Sequence, residues 1–198
     1  MRLPPAVTSE LDALARRYAD PARVSATIDD SFDDPIRKSD RYGEVCMVIR
    51  RPSGNLLLAI KTFYPRGAYR LPTGGIHHGE EIAAALAREA HEETGLELEV
   101  RRFLAHISYA GRSAPQGEPL FHTFAFLLDE RGGTLGALDT SERIEAWREI
   151  APRDLGSVAD FLANLRTQGT ESIGGDWRAW GEFRSVVHRV VHAALRDS

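Results

Sequence analysis

An α/β fold is predicted for this chain, and three observations predict it. Apolar runs at 44–50, 55–62, 97–109 and 119–129 have the length and composition of strands. Between the second and third of them, residues 80–93 are rich in alanine and leucine, free of proline and followed by Gly95, which together read as a helix and its stop. Near the C-terminus the apolar residues recur at three- and four-residue spacing, as they do on one buried face of a helix.

Taken in order, residues 1–40 read as an N-terminal extension with a short helix. Ser9 with Asp12 resembles a capping box, and Leu11, Leu14 and Tyr18 mark an apolar stripe. Asp29-Asp30-Ser31-Phe32-Asp33-Asp34-Pro35 then reads as an acidic loop, a solvated linker in preference to a metal site. The core is placed at 41–151. Its first two strands are joined at Pro52-Ser53-Gly54-Asn55, a hairpin turn by composition, and a last strand at 142–149 ends before Pro152. From 152 to 198 the chain is expected to be helical, with a short amphipathic helix at 154–165, a turn at Gly174-Gly175 and Asp176 as the cap of a final helix. Its stripe runs through Trp177, Trp180, Phe183, Val186, Val187, Val190, Val191, Ala194 and Leu195. A face this apolar must be covered, either by the chain's own core or by a second copy in a homodimer. His188 and His192 stand one turn apart without a third ligand and read as surface histidines.

Composition narrows the function classes. At 198 residues, 42% hydrophobic and 27% charged, the chain suits one packed domain with extensions. A net charge of -4 gives no electrostatic footprint for a nucleic-acid duplex or an anionic membrane. The single Cys46 excludes an intrachain disulfide and, in an apolar strand, reads as a small buried hydrophobe. Charged residues interrupt the N-terminal segment, so no signal peptide or membrane span is expected there and a cytoplasmic location is the default.

Most of the chemistry lies in residues 74–96, GGIHHGEEIAAALAREAHEETGL. Glu89, Glu92 and Glu93 fall at i, i+3 and i+4, which puts three carboxylates on one helical face. Like charges so close repel unless a cation lies among them, and hard oxygen ligands select Mg²⁺ or Mn²⁺ over zinc.

The spacing of these residues resembles the box of the Nudix hydrolases: Gly74, five residues, Glu80, seven residues, Arg88-Glu89, Ala90, His91, Glu92-Glu93, Thr94, Gly95 and Leu96. The resemblance implies a Nudix-type α/β/α sandwich with a mixed sheet, here with N-terminal and C-terminal helical extensions. It also implies Mg²⁺-dependent hydrolysis of the diphosphate linkage in a small nucleoside diphosphate derivative, such as ADP-ribose or a dinucleoside polyphosphate. It assigns the metal to Gly74, Glu89, Glu92 and Glu93, with Glu92 either a ligand or the group orienting the attacking water, and a structural ion pair to Glu80 and Arg88. A carboxylate outside the box often completes such sites, and Glu142 and Glu145 are the candidates before Trp147. Strand alternation would face them to opposite sides, and Glu145 is preferred. Substrate contacts are expected from Arg70, Arg112, His77 and His78. Arg112 lies in the polar segment 111–118, where many members recognise the non-phosphate moiety. Lys61, Arg66 and Arg70, interleaved with Phe63, Tyr64 and Tyr69, make a cation and aromatic mixture suited to a nucleotide. Many members carry two glycines directly after Leu-Pro, whereas here Leu71-Pro72 is followed by Thr73. The rival readings are a non-catalytic nucleotide-binding or regulatory module of the same fold, and an isomerase-like or non-nucleotide branch, since fold does not fix substrate.

Overall fold

The computed structural model describes residues 3–30, 32, 40–166 and 177–196. The expected turn at Gly174-Gly175, the Asp176 cap and the Asp33-Asp34-Pro35 part of the acidic segment lie outside the described residues. Among the described residues seven strands form one mixed sheet: β1 (Ala22–Ile28), β2 (Arg41–Arg50), β3 (Leu56–Lys61), β4 (Thr73–His77), β5 (Leu96–Gly111), β6 (Phe121–Gly133) and β7 (Ile144–Ile150). Their order is β1-β5-β6-β2-β3-β7, with β4 also paired to β2. Four α-helices accompany it among the described residues: α1 (Pro5–Tyr18), α2 (Ile82–Thr94), α3 (Leu155–Ala163) and α4 (Trp177–Arg196).

The sheet separates two apolar layers, and β2 shows how. Val45, Met47 and Ile49 join the layer under α1 and α2, while Cys46 and Val48 join the layer under α3 and α4, as alternation along a strand requires. All five are completely buried, so β2 is central and covered on both faces. Cys46 is thereby a packed hydrophobe whose thiol is pushed up by burial. On one side of β2 the antiparallel partner changes along its length. β4 pairs with Arg41 to Cys46, and β3 joins only at Arg50 opposite Leu56. The end of β3 and the start of β4 bring Lys61 and Gly74 beside the site.

The stripe on α4 is spent on the chain's own sheet. Phe183 meets Tyr109 at 4.8 Å and Phe32 at 5.3 Å between ring centroids, and Trp180 meets Tyr64 at 4.8 Å. His188 is not at the surface: it is fully buried, because its Nε2 accepts the Leu71 N–H at 3.0 Å and its Nδ1 donates to the Arg184 carbonyl at 2.7 Å. His192 is partly buried.

The N-terminal segment differs from its sequence reading in three ways. Helix α1 begins at Pro5, whose absent N–H and preset φ suit a first helical position, so Ser9 lies inside the helix and forms no capping box. Strand β1 pairs in parallel with β5 and was not anticipated; most of its residues are exposed or only partly buried, so it lacks the apolar run that marks the central strands. The acidic segment is docked where it is described. Phe32 is buried in the α4 layer, and the Asp30 carboxylate accepts the Ser113 N–H and hydroxyl, each at 2.9 Å. Among the described residues no helix is long and apolar enough to cross a membrane.

Candidate metal centre

Helix α2 forms because its alanines and leucines favour helix, and it ends because Gly95 takes a left-handed conformation at φ 64° and returns its N–H to the His91 carbonyl at 2.9 Å. A side chain at Gly95 would also run into the Thr134 and Gly136 carbonyls. The helix lays Ile82, Ala85, Leu86 and Ala90 into the core and carries Glu89 and Glu93 down with them, leaving 7% and 1% of each exposed.

Strand β4 passes directly beneath. A Cβ at Gly74 would fall 2.0 Å from the Glu89 carboxyl carbon, so any larger residue would push that carboxylate out of place. The third acid is Glu142, which ends a short 3₁₀ turn (Thr140–Glu142) just before β7. The Asp139 side chain caps this turn by accepting the Ser141 N–H at 2.8 Å, and Arg143 closes it with a left-handed backbone at φ 55°. Carboxylate oxygens of Glu89, Glu93 and Glu142 all lie within 4.8 Å of one another. Lys61, the last residue of β3, reaches Glu142 at 2.5 Å and Glu93 at 3.7 Å.

Arg88 ties the loop to the helix. Its guanidinium meets both Glu80 oxygens at 2.9 and 3.0 Å, the Gly75 carbonyl at 3.0 Å, Glu89 at 2.8 Å and Glu92 at 3.2 Å. This hydrogen bonding holds Glu80 below its ordinary carboxylate range. Burial acts the other way on the two inner acids. Glu93 is pushed up to about 8, against the pull of Lys61 and Arg70, and Glu89 is raised although Arg88 opposes it. Burial is the largest influence on Glu142 and pushes it up, but the hydrogen bond and charge of Lys61 together with a hydrogen bond to Glu93 outweigh it and leave this acid below its usual range. Glu93 Oε2 is buried without any hydrogen-bond partner. Buried polar atoms are nearly always paired, so a buried acid with one bare oxygen, in a cluster with two further acids, suits a hard divalent cation.

The remaining residues named from sequence are distributed around this cluster. Glu92 sits at its rim, 41% exposed at the side chain and bonded to Arg88. Glu145 is exposed and outside the cluster, and Glu142 takes the inner position. Alternation was counted through a residue that precedes the strand; β7 starts at Ile144, so the 3₁₀ turn and not the strand aims Glu142. His77 and His78 have exposed side chains, and the His77 N–H donates to Glu80 at 3.0 Å. Arg112 pairs with Glu182 of α4 at 3.1 Å. Arg70 is buried, donating to the Tyr64 hydroxyl at 2.9 Å, the Leu71 carbonyl at 2.7 Å and Thr73 Oγ1 at 3.1 Å.

Behind β4 lies a second polar group that sequence reading did not find. The Arg184 Nη1 atom of α4 meets both Glu44 oxygens at 2.8 Å and Thr73 Oγ1 at 3.2 Å, and Thr123 donates to Glu44 at 3.0 Å. The unusual Thr73 is thus the shared acceptor of two buried guanidinium groups. Its signal was present in α4, where Arg184 and His188 interrupt an otherwise apolar face.

The NUDIX domain model matches residues 41–169. An ADP-ribose pyrophosphatase of Methanocaldococcus jannaschii is 34% identical over 98 residues, which is 50% of this chain and 56% of that protein. An NAD-capped RNA hydrolase NudC of Vibrio atlanticus is 34% identical over 107 residues, 53% of this chain and 37% of that protein. The chain therefore matches only part of the length of these relatives. Among solved structures, a MutT NUDIX hydrolase from Burkholderia pseudomallei aligns with a TM-score of 0.48 at 21% identity, covering 79% of this chain and 99% of that one. With the family model spanning most of its length and the box intact, the chain belongs to the Nudix family.

Proposed function

We propose that the chain is a Mg²⁺-dependent hydrolase that cleaves the diphosphate linkage of a nucleoside diphosphate derivative. The observation that carries this reading is the convergence of Glu89, Glu93 and Glu142, whose carboxylate oxygens lie within 4.8 Å of one another. These three acids would hold the cation, with the Gly74 backbone beside them. When bound, a divalent cation neutralises charge on the phosphoryl oxygens. The chain's own residues do the rest. Arg88 fixes the Gly75 carbonyl of β4 against the helix, and Lys61 adds a positive charge beside Glu142 and Glu93. Glu92, at the exposed rim and held on one side by Arg88, is placed to accept a proton from an attacking water. The names of the two relatives point to substrates in which a diphosphate joins a nucleoside to a second group, and ADP-ribose is the first to try.

The test is product release from ADP-ribose, NAD and dinucleoside polyphosphates, with Mg²⁺ and with chelator. Chelator-sensitive cleavage of at least one is expected, and cation binding without turnover of any would favour a non-catalytic nucleotide-binding module. A paired substitution locates the outer acid. Glu142→Ala is expected to lower kcat by roughly 10²-fold, as loss of a group acting on transition-state charge does, while Glu145→Ala stays near the parent value. Equal small effects would place the outer acid elsewhere.

A further inference from the structure

The geometry points to Glu10 as a positioning residue for the metal-binding helix: its carboxylate, carried on α1, caps the N-terminus of α2. Oε2 accepts the Ile82 N–H and Oε1 the Ala83 N–H, each at 3.0 Å. These are the first two amides of α2, which no helix can satisfy from within, and an anion there also meets the positive end of the helix dipole.

The box does not supply this cap from its own residues. Glu81 occupies the N-cap position, yet its side chain makes no capping bond, and capping of this kind belongs to short Ser, Thr, Asp and Asn side chains. Glu80 is committed to Arg88 and to the His77 N–H. Gly79 has no side chain to offer. The acceptor comes instead from a segment outside the 41–169 match. Helix α1 is seated by Leu11 and Leu14 in the same apolar layer as Ile82, Ala85 and Leu86, so a packed helix delivers the carboxylate. Ile82 and Ala83 lie about two turns before Glu89. Fixing the first turn fixes the axis from which Glu89 and Glu93 approach Glu142. The inference rests on the reading of those three acids as cation ligands.

The experiment compares Glu10→Ala, Glu10→Gln and Asp12→Ala in the full chain, by amide hydrogen exchange and by Mn²⁺ binding measured from its EPR signal. Asp12 is exposed on the same helix and controls for the loss of a charge. In Glu10→Ala, Ile82 and Ala83 are expected to exchange at least about 10-fold faster than in the control, as amides freed from a cap do. The Mn²⁺ dissociation constant is expected to rise about 3- to 10-fold, within the range for residues that orient ligands. Glu10→Gln keeps an acceptor oxygen and should recover part of both losses. Should Glu10→Ala fail to fold, the near-isosteric Glu10→Gln against the parent chain carries both readings. Unchanged exchange at Ile82 and Ala83 overturns the cap, and faster exchange with unchanged Mn²⁺ affinity overturns the positioning role. Absence of Mn²⁺ binding by the parent chain overturns the metal reading instead, and the exchange data then decide the cap alone.

Discussion

Glu44 and Glu93 are both buried carboxylates, 3% and 1% exposed, and they lie in two polar clusters that share the neighbourhood of Arg70. Their surroundings differ. Glu44 receives two short bonds from Arg184 and one from Thr123, so its charge is matched by fixed donors brought in by α4 and β6. Glu93 has Lys61 at 3.7 Å, one oxygen with no partner, and two other acids within reach. The difference separates a carboxylate that locks helix to sheet from one poised for a ligand. A buried ion pair is costly to break because the survivor stays charged and dry, whereas a strained acid is costly to keep.

The largest expected effects come from breaking each cluster at its centre. Arg184→Ala leaves Glu44 buried without its cation and is expected to cost about 3–5 kcal/mol, with a fall in Tm of roughly 10 °C for a chain of this size. Glu93→Gln should do the reverse: the fold holds or gains stability, while turnover falls by roughly 10²-fold or more. Thermal melts and kcat on the same preparations decide the matter. A Glu93→Gln protein as unstable as Arg184→Ala would mean that both clusters are structural.

The pH dependence of stability sharpens the same contrast, because the buried histidines, among them His188 bonded to the Arg184 carbonyl, carry the opposite sign to Glu93. Burial pushes His188 down to about 3 and His106 down to about 4, so both stay neutral in the fold while the unfolded chain takes up protons near 6.5. Their contribution is complete above about 6.5 and is lost as pH falls toward those lower values. Glu93, raised to about 8, holds its proton in the fold, so its contribution is complete below the unfolded value of 4.5 and is lost as pH rises through 8. Each limb is worth on the order of a few kcal/mol. In Tm profiles recorded with chelator, His188→Gln should flatten the acid limb and Glu93→Gln the alkaline one. If neither substitution changes its limb, burial does not control these groups.

How much of this could be read from the sequence depended on distance along the chain. The box helix and its glycine stop are set by residues within one or two turns of each other, and the structure reproduces them, with Glu89 and Glu93 carried inward from the acidic face. The hairpin at 52–55 was legible for the same reason. What sequence reading missed is non-local. The Leu71 N–H meets His188 across 117 positions, and Ile82 meets Glu10 across 72. Glu10 carries no local mark of its role, and His188 only the break it makes in the apolar face of α4. Glu142 and not Glu145 lies beside Glu89 and Glu93 for another reason, since a period-two argument holds only inside a strand and the 3₁₀ turn lies before it. Strand β1 escaped because an edge strand with one buried residue does not show an apolar pattern.

The smallest expected effect falls on Thr73, where the two clusters meet. Its hydroxyl oxygen takes one N–H from Arg70 at 3.1 Å and one from Arg184 at 3.2 Å, which a threonine can do with its two lone pairs. Each arginine keeps another partner when that oxygen is removed, Leu71 O for the first and Glu44 for the second. Thr73→Ala should therefore cost only about 1–2 kcal/mol, far less than loss of Arg184. Thr73→Ser keeps the oxygen and should melt within a degree or two of the parent, a shift of about 0.5 kcal/mol or less. Thr73→Gly adds the entropic cost of a freer backbone, up to about 1 kcal/mol, and should be the least stable of the three. Since Thr73 precedes Gly74 without touching the acids at the metal centre, kcat should change little in the serine variant. Melting temperatures for serine, alanine and glycine in that descending order would tie the hydroxyl to the buried guanidinium pair; equal values for serine and alanine would show that the two arginines do not need it.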